Sequence, residues 1–167
     1  MAAEDDFASF HATVFARLVG QVTLVTGDRL EAEDVVQEAL ARASTRWSRL
    51  RHYDVPEAWV RRVAMNLAAN GARHRRRRLA AMLRLGPPAP VPAVDVTDIA
   101  LAEALRTLPL AQRQALVLHY LLGMPVKEVA ATLRVPAGTV KARLHRGRRA
   151  LAAQLDDKEV ANRHVGA

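Results

Sequence analysis

The chain has 167 residues, of which half are hydrophobic, and 25 Lys and Arg against 17 Asp and Glu leave a net charge of +8. That hydrophobic share excludes a wholly disordered chain, and three Phe, two Trp and two Tyr argue against an aromatic-rich β-sandwich. With no cysteine, disulfides, thiol catalysis and Cys-ligated zinc or iron–sulfur centres are excluded. The start at Glu4-Asp5-Asp6 is acidic where a secretory leader is basic. No apolar run approaches the roughly 20 residues that cross a bilayer. These features imply a soluble, intracellular, cytoplasmic chain with no membrane contact, and the basic excess points to a polyanionic partner.

In chain order, Phe7, Phe10, Val14, Phe15, Leu18, Val22 and Val25 recur at steps of three and four, which predicts a helix with a core-facing stripe. Gly27-Asp28 ends it, and Asp28 is placed to cap the next helix. Residues 31–47 put Val35, Val36, Ala39, Leu40 and Ala43 on one side of that helix. Pro56 suits the first turn of a third, long helix. There Trp59, Val63 and Leu67 stack as the apolar stripe. Four prolines between Gly86 and Pro92 forbid helix or central strand. They form an extended spacer rising about 3.1 Å per residue. Beyond it, Thr97 or Asp98 can cap a helix carrying Ile99, Leu101, Ala102 and Leu105, which Leu108-Pro109 interrupts. A further helix then runs through Leu122-Gly123. Nothing alternates long enough for a sheet. The fold class is all-α, two small helical domains joined by a Pro-rich linker: 1–80, a linker over 81–97, 98–157, and a polar tail over 158–167 that frays.

Charge is segregated along the chain. Residues 1–38 hold eight acids and two bases, a sum of −6. From Ala58 to Val94 there are eight arginines and no acid, and Val129 to Leu155 carries +6, again with no acid. A single basic run is usually a solvated helix face. Two runs in separate halves point to nucleic acid.

The most informative stretch is Met124 to Leu155. Pro125 starts a short helix over 126–133, Arg134-Val135-Pro136 makes a turn, and a second helix begins at Ala137. Val140, Leu144, Gly147 and Leu151 fall on one stripe, so Thr139, Lys141, Ala142, Arg143, His145, Arg146 and Arg149 stand on the other faces. Small Ala130 opposite Val140 suits two helices crossing at a tight turn. An ordinary helical hairpin with a basic face shares this pattern. The turn, the small residue and the charge together favour a helix-turn-helix whose second helix enters the major groove.

At Gly138-Thr139-Val140-Lys141-Ala142-Arg143-Leu144-His145-Arg146-Gly147-Arg148 the sequence resembles region 4 of the sigma-70-family RNA polymerase sigma factors. Leu108-Pro109, Gln112-Arg113, Leu116-Val117-Leu118 and Lys127-Glu128-Val129-Ala130 fit the helices preceding it. Glu31 to Ala39 is similar to the core-binding helix of region 2, and Pro56 to Ala68 with the following arginines to its promoter-melting helix. Regions 2 and 4 with a short linker resemble the extracytoplasmic-function (ECF) group. The resemblance implies a sigma factor that directs core RNA polymerase to promoters, melts them and initiates transcription. It implies that Asp34, Gln37 and Glu38 dock on the β′ clamp of core polymerase, with the β flap as a further contact. It aims Arg61 and the stripe Arg62, Asn66, Asn70, Arg73 and Arg77 at the minus-ten element, where cations hold phosphates and amides read exposed bases. The loop Ser48 to Val55 would pocket an extruded base, with Tyr53 as its aromatic; a loop tyrosine is otherwise a packing residue. Thr139, Lys141, Arg143, His145, Arg146 and Arg149 would read the minus-thirty-five element. An anti-sigma factor is a possible partner, and no segment identifies one.

Three departures stand out. Asn70-Gly71 replaces an acid and a bulky residue, and Gly71 weakens a helix by about 1 kcal/mol relative to Ala. Arg134 occupies a turn position where the family commonly has Gly, so a positive φ there means strain. Ala142 stands in place of Ser and removes a phosphate contact. Two other readings compete. A stand-alone LuxR-like helix-turn-helix regulator accounts for residues 108–155 but leaves the acidic head and the Trp59–Arg78 helix unused. An enzyme acting on nucleic acid finds no support: the six histidines are scattered and no His-Glu-x-x-His occurs. No catalytic residue, cofactor or metal is expected.

Overall fold

The structure is a computed structural model that describes the backbone over residues 2–82 and 96–165 and side chains over 6–71 and 101–154. The proline segment Gly86–Pro92 lies outside the described residues, and every described element is helical. The chain divides into two compact units, Met1–Pro92 and Ala93–Ala167.

In the first unit α1 (Ala2–Thr26) packs along α2 (Arg29–Ser44), and α4 (Pro56–Met82) lies against both. A short turn of helix, α3 (Trp47–Leu50), sits between α2 and α4 in the chain. The stripe anticipated on α1 is its core face: Val14, Leu18, Val22 and Val25 are buried, joined by Val19. Gly27, at φ 78°, ends α1. Asp28 Oδ1 then accepts from the amides of Leu30 (2.9 Å) and Glu31 (3.3 Å), capping α2 as its residue type predicts. Asp6–Thr26 is long and apolar enough to cross a membrane by length and composition alone, although His11, Arg17 and Gln21 interrupt its apolar run. Here that apolarity covers α2 and α4, and the same helix exposes Arg17.

Three expectations are corrected in this unit. The buried face of α4 is Val60, Ala64, Met65 and Ala68, while Trp59, Val63 and Leu67 are half-buried. Small Ala64 and Ala68 let α4 approach its neighbours, while Trp59, seven residues before Asn66, falls on the side away from that face. The loop from Ser48 opens with a helical turn, since Trp47 and Leu50 are buried and anchor α3. On α2, Ala32 is buried and Val35 half-buried. Phe7 and Phe10 pack on Trp47 with ring centroids 5.2 and 4.7 Å apart, and Arg46 lies 5.8 Å over Trp59. Trp47 therefore serves packing. Gly71 does not break α4, which continues to Met82.

In the second unit α5 (Val96–Arg106), α6 (Leu110–Leu116) and α7 (Val126–Leu133) surround α8 (Ala137–Val165). Thr97 and Asp98 lie inside α5, so neither is its cap. Arg113 is buried, and its guanidinium donates to the carbonyls of Arg106 (2.9 Å) and Leu108 (3.1 Å). The Arg106 carbonyl ends α5 and the Leu108 carbonyl lies in the corner before α6, and the buried cation satisfies both. The helix expected through Leu122 widens after Leu116 into a π-helical turn, Val117–Leu121, closed by the Leu122 amide on the Val117 carbonyl at 3.0 Å. His119 Nδ1 donates to the Met124 carbonyl at 2.7 Å, and Gly123 takes φ 67°. On α7 Val129 and Leu133 are buried, whereas Ala130 is half-buried. On α8 Val140, Leu144 and Gly147 are buried and Leu151 half-buried, as the stripe predicts. A Cβ on Gly147 would stand 2.8 Å from Leu116 Cδ1, so the glycine lets α8 meet α6. The helix runs past Leu155 and into the tail expected to fray, as far as Val165, because no proline or glycine intervenes after Leu155.

Candidate nucleic-acid interfaces

The surface of the second unit is built by its turn. Arg134 closes α7 in the left-handed region, φ 54° and ψ 48°. Its amide and that of Val135 (3.1 Å) both bond to the Ala130 carbonyl. The Pro136 carbonyl then accepts from Thr139 (3.0 Å) and Val140 (3.2 Å), starting α8. With Val140, Leu144 and Gly147 turned inward, helical geometry fixes the outer strip. Gly138, Ala142, His145, Arg146 and Arg149 are exposed along its centre. Thr139 and Arg143, both half-buried, form one edge, and exposed Lys141 the other. Arg148, seven residues after Lys141 and exposed beside it, belongs to this surface although the sequence reading left it out. Among the described residues none of these cations makes an ion pair or a side-chain hydrogen bond. An unpaired cationic strip on the exposed side of a helix fits the major groove and its flanking phosphates.

On α4 the structure separates residues that sequence placed together. Arg62, Asn66 and Asn70 lie opposite the buried face, with Asn70 exposed and the other two half-buried. Asn66 Nδ2 donates to the Arg62 carbonyl at 2.7 Å, and Arg62 Nε is buried with no hydrogen-bond partner. Arg73 and Arg77 continue that register along the helix, but their side chains lie outside the described residues. Arg61 points elsewhere. It precedes Ala64, Met65 and Ala68 by three, four and seven residues, which puts it on the inner face. There it donates to Gln21 Oε1 at 3.1 Å and pairs with Glu57 at 2.9 Å, with 19% of its side chain exposed. Glu57 also pairs with Arg17, so the four residues tie α1 to α4. Tyr53, 42% exposed, stands in the turn after α3.

The acidic face of α2 is the third surface. Asp34, Gln37 and Glu38 are exposed, and Glu38 pairs with Arg42 one turn on at 2.7 Å. Leu30, four residues before Asp34, is 71% exposed. Sequence reasoning missed it, although a leucine at that spacing from three polar residues was the available signal. Among the described residues no three His, Asp or Glu side chains gather as a metal site.

Comparison with known proteins covers both units. Residues 11–78 match the family described as Sigma-70 region 2, and residues 98–151 match Sigma-70, region 4. The RNA polymerase sigma-E factor of Streptomyces antibioticus is 31% identical over 141 residues, covering 80% of this chain and 75% of the relative. The ECF RNA polymerase sigma factor SigW of Bacillus subtilis is 29% identical over 150 residues, covering 78% of this chain and 79% of its own. Among solved structures, CnrH in complex with the cytosolic domain of CnrY superposes with a TM-score of 0.61 at 28% identity. That match spans 92% of this chain and 90% of the other.

Proposed function

The chain belongs to the sigma-70 family of RNA polymerase sigma factors, in the extracytoplasmic-function group, and from that premise we infer how its surfaces divide the work. It directs core RNA polymerase to promoter DNA and initiates transcription there. The observation that carries this is the order of two matches in one chain, region 2 over 11–78 and region 4 over 98–151. A stand-alone LuxR-like regulator is unsupported, because it leaves the first match without a role.

The division of labour is our proposal. The acidic face of α2, with Asp34, Gln37, Glu38 and Leu30, docks on the β′ clamp, charge steering the encounter and the leucine adding apolar burial. The α4 stripe, Arg62, Asn66, Asn70, Arg73 and Arg77, holds the minus-ten element. Separating its strands breaks base stacking worth about 1.4 kcal/mol per step. Phosphate contacts and capture of an unstacked base beside Tyr53 offset that cost. Arg61 supports this surface by fixing α4 on α1 and is withdrawn from direct contact. Thr139, Lys141, Arg143, His145, Arg146, Arg148 and Arg149 read the minus-thirty-five element from the major groove. The second unit also meets the β flap. The chain performs no bond-making step of its own and works in the cytoplasm beside polymerase. An anti-sigma factor covering these surfaces is consistent with the protein partner that the CnrH structure holds.

The test is reconstitution of the full chain with core RNA polymerase on a promoter library. Initiation that needs both proteins and selects particular promoters is expected. Tight sequence-specific binding by the chain alone, with no effect on initiation, would overturn the assignment, as would cleavage of DNA without polymerase.

A further inference from the structure

Among the described residues three take a positive φ, and two of them, Gly27 and Gly123, are glycines, for which that conformation carries no steric penalty. The third is Arg134, whose Cβ crowds the backbone in the left-handed region. The turn itself is required, because the Arg134 and Val135 amides close α7 on the Ala130 carbonyl and the chain must reverse into α8. A glycine would meet that requirement without strain. What arginine adds is a long cation, exposed at the corner of the helix-turn-helix and without an ion-pair or side-chain hydrogen-bond partner among the described residues. Its attraction to the carbonyl end of α7 is a weak, solvent-screened effect at an exposed site and smaller than the cost of the conformation. A strained residue with an unused functional group points outward, to a ligand. The Arg134 corner leads directly into the cationic strip of α8, and the chemistry that a planar, five-donor cation recognises beside such a strip is a phosphodiester.

We propose that Arg134 is a DNA-phosphate-binding residue, held by its left-handed turn at the corner of the helix-turn-helix so that it clamps the backbone flanking the stretch α8 reads. The proposal rests on the reading of α8 as the minus-thirty-five helix. It makes stability and function move in opposite directions at one position, which no purely structural role does.

The experiment compares wild type, Arg134→Gly and Arg134→Lys, each assembled with core RNA polymerase on a promoter fragment, across a series of salt concentrations. Arg134→Gly should bind about three- to tenfold more weakly, and the slope of log affinity against log salt should become shallower by about 0.9, the signature of one lost phosphate contact. The melting temperature of the free Arg134→Gly chain should rise by about 4 °C. Arg134→Lys keeps the charge and should keep the slope. Unchanged slope and affinity in Arg134→Gly would overturn the proposal while promoter-directed initiation by wild type leaves the function standing. A lower melting temperature with an unchanged slope would assign Arg134 to the α7 end. Weaker assembly with core polymerase at an unchanged slope would assign it to a protein contact. Failure of wild type to direct polymerase at all would remove the function, and this proposal with it.

Discussion

Two helix-interior glycines respond oppositely to a side chain. At Gly71 an added Cβ would meet Glu31 Oε1 at 3.6 Å, an ordinary contact. Gly71→Ala should therefore recover most of the helix-propensity cost and stabilise the first unit by about 0.5–1 kcal/mol in denaturant titration. At Gly147 the Cβ would meet Leu116 at 2.8 and 3.2 Å. Gly147→Leu should lower the stability of the second unit by about 2 kcal/mol through overpacking, read by the same titration. The adjacent arginines of α4 make a second contrast. Arg61→Ala should destabilise the first unit by about 1 kcal/mol, because it removes a part-buried hydrogen bond and ion pair. Arg62→Ala should leave stability within about 0.5 kcal/mol and weaken minus-ten binding in a filter or fluorescence assay. The positive φ of Arg134 was legible through the resemblance, since the family commonly has Gly at that turn position. The inward role of Arg61 was legible in principle from its spacing to Ala64, Met65 and Ala68 but was masked by the arginine-rich context. That of Arg113 was not legible, because the carbonyls it satisfies meet only after the α5–α6 corner folds.

Helices were legible wherever an apolar stripe met a matching partner. The stripes of α1 and α8 hold, and the cap of α2 is the one its aspartate announces. The stripe of α4 slipped by one residue because large side chains dominate a periodicity count, whereas close helix packing selects the small ones. The π-helical turn had no signal, since one extra residue per turn depends on the closing bond from the Leu122 amide to the Val117 carbonyl, which forms only once the segment folds. At this scale the face of α2 predicts that Asp34→Arg and Leu30→Ala each reduce affinity for core polymerase about tenfold in competition assays, with unchanged melting temperature because both side chains are exposed. Unchanged affinity in both would move the docking surface elsewhere. The outer strip of α8 predicts that Arg143→Ala and Arg146→Ala each lose about 1–3 kcal/mol of discrimination at the upstream element. Core binding should stay intact in both variants.

Across the molecule, the net +8 is the remainder of a −6 head and two basic tracts, and the structure puts these on different helices. The head lies on α1 and the start of α2, one tract on α4 and the other on α7 and α8. A uniformly basic coat would bind any duplex. Segregation instead assigns opposite charges to opposite kinds of partner, so promoter affinity should fall with salt more steeply than a few α2 charges can account for. In the proposed division of labour one chain carries both reading helices, so both DNA elements are engaged together. Inserting five base pairs between them turns one element by about half a helical turn, and initiation in a runoff assay should fall at least about tenfold. The apolarity of α1 has the same lesson in reverse: length and hydropathy alone match a membrane span, and only its neighbours reveal it as a core helix.

The widened turn at Val117–Leu121 also acts as a counter of residues. An α-helical turn holds about one residue fewer, and each residue rotates the rest of the helix by about 100°. Deleting a single residue there invites the segment to close as a plain α-helix. The seam that seats α6 against Gly147 would then be out of phase with the whole downstream chain, including the corner and its cationic strip. Substitutions at exposed Tyr120 or Leu121 leave this phase untouched. The segment just before the helix-turn-helix should thus accept changes of residue type far more readily than changes of chain length.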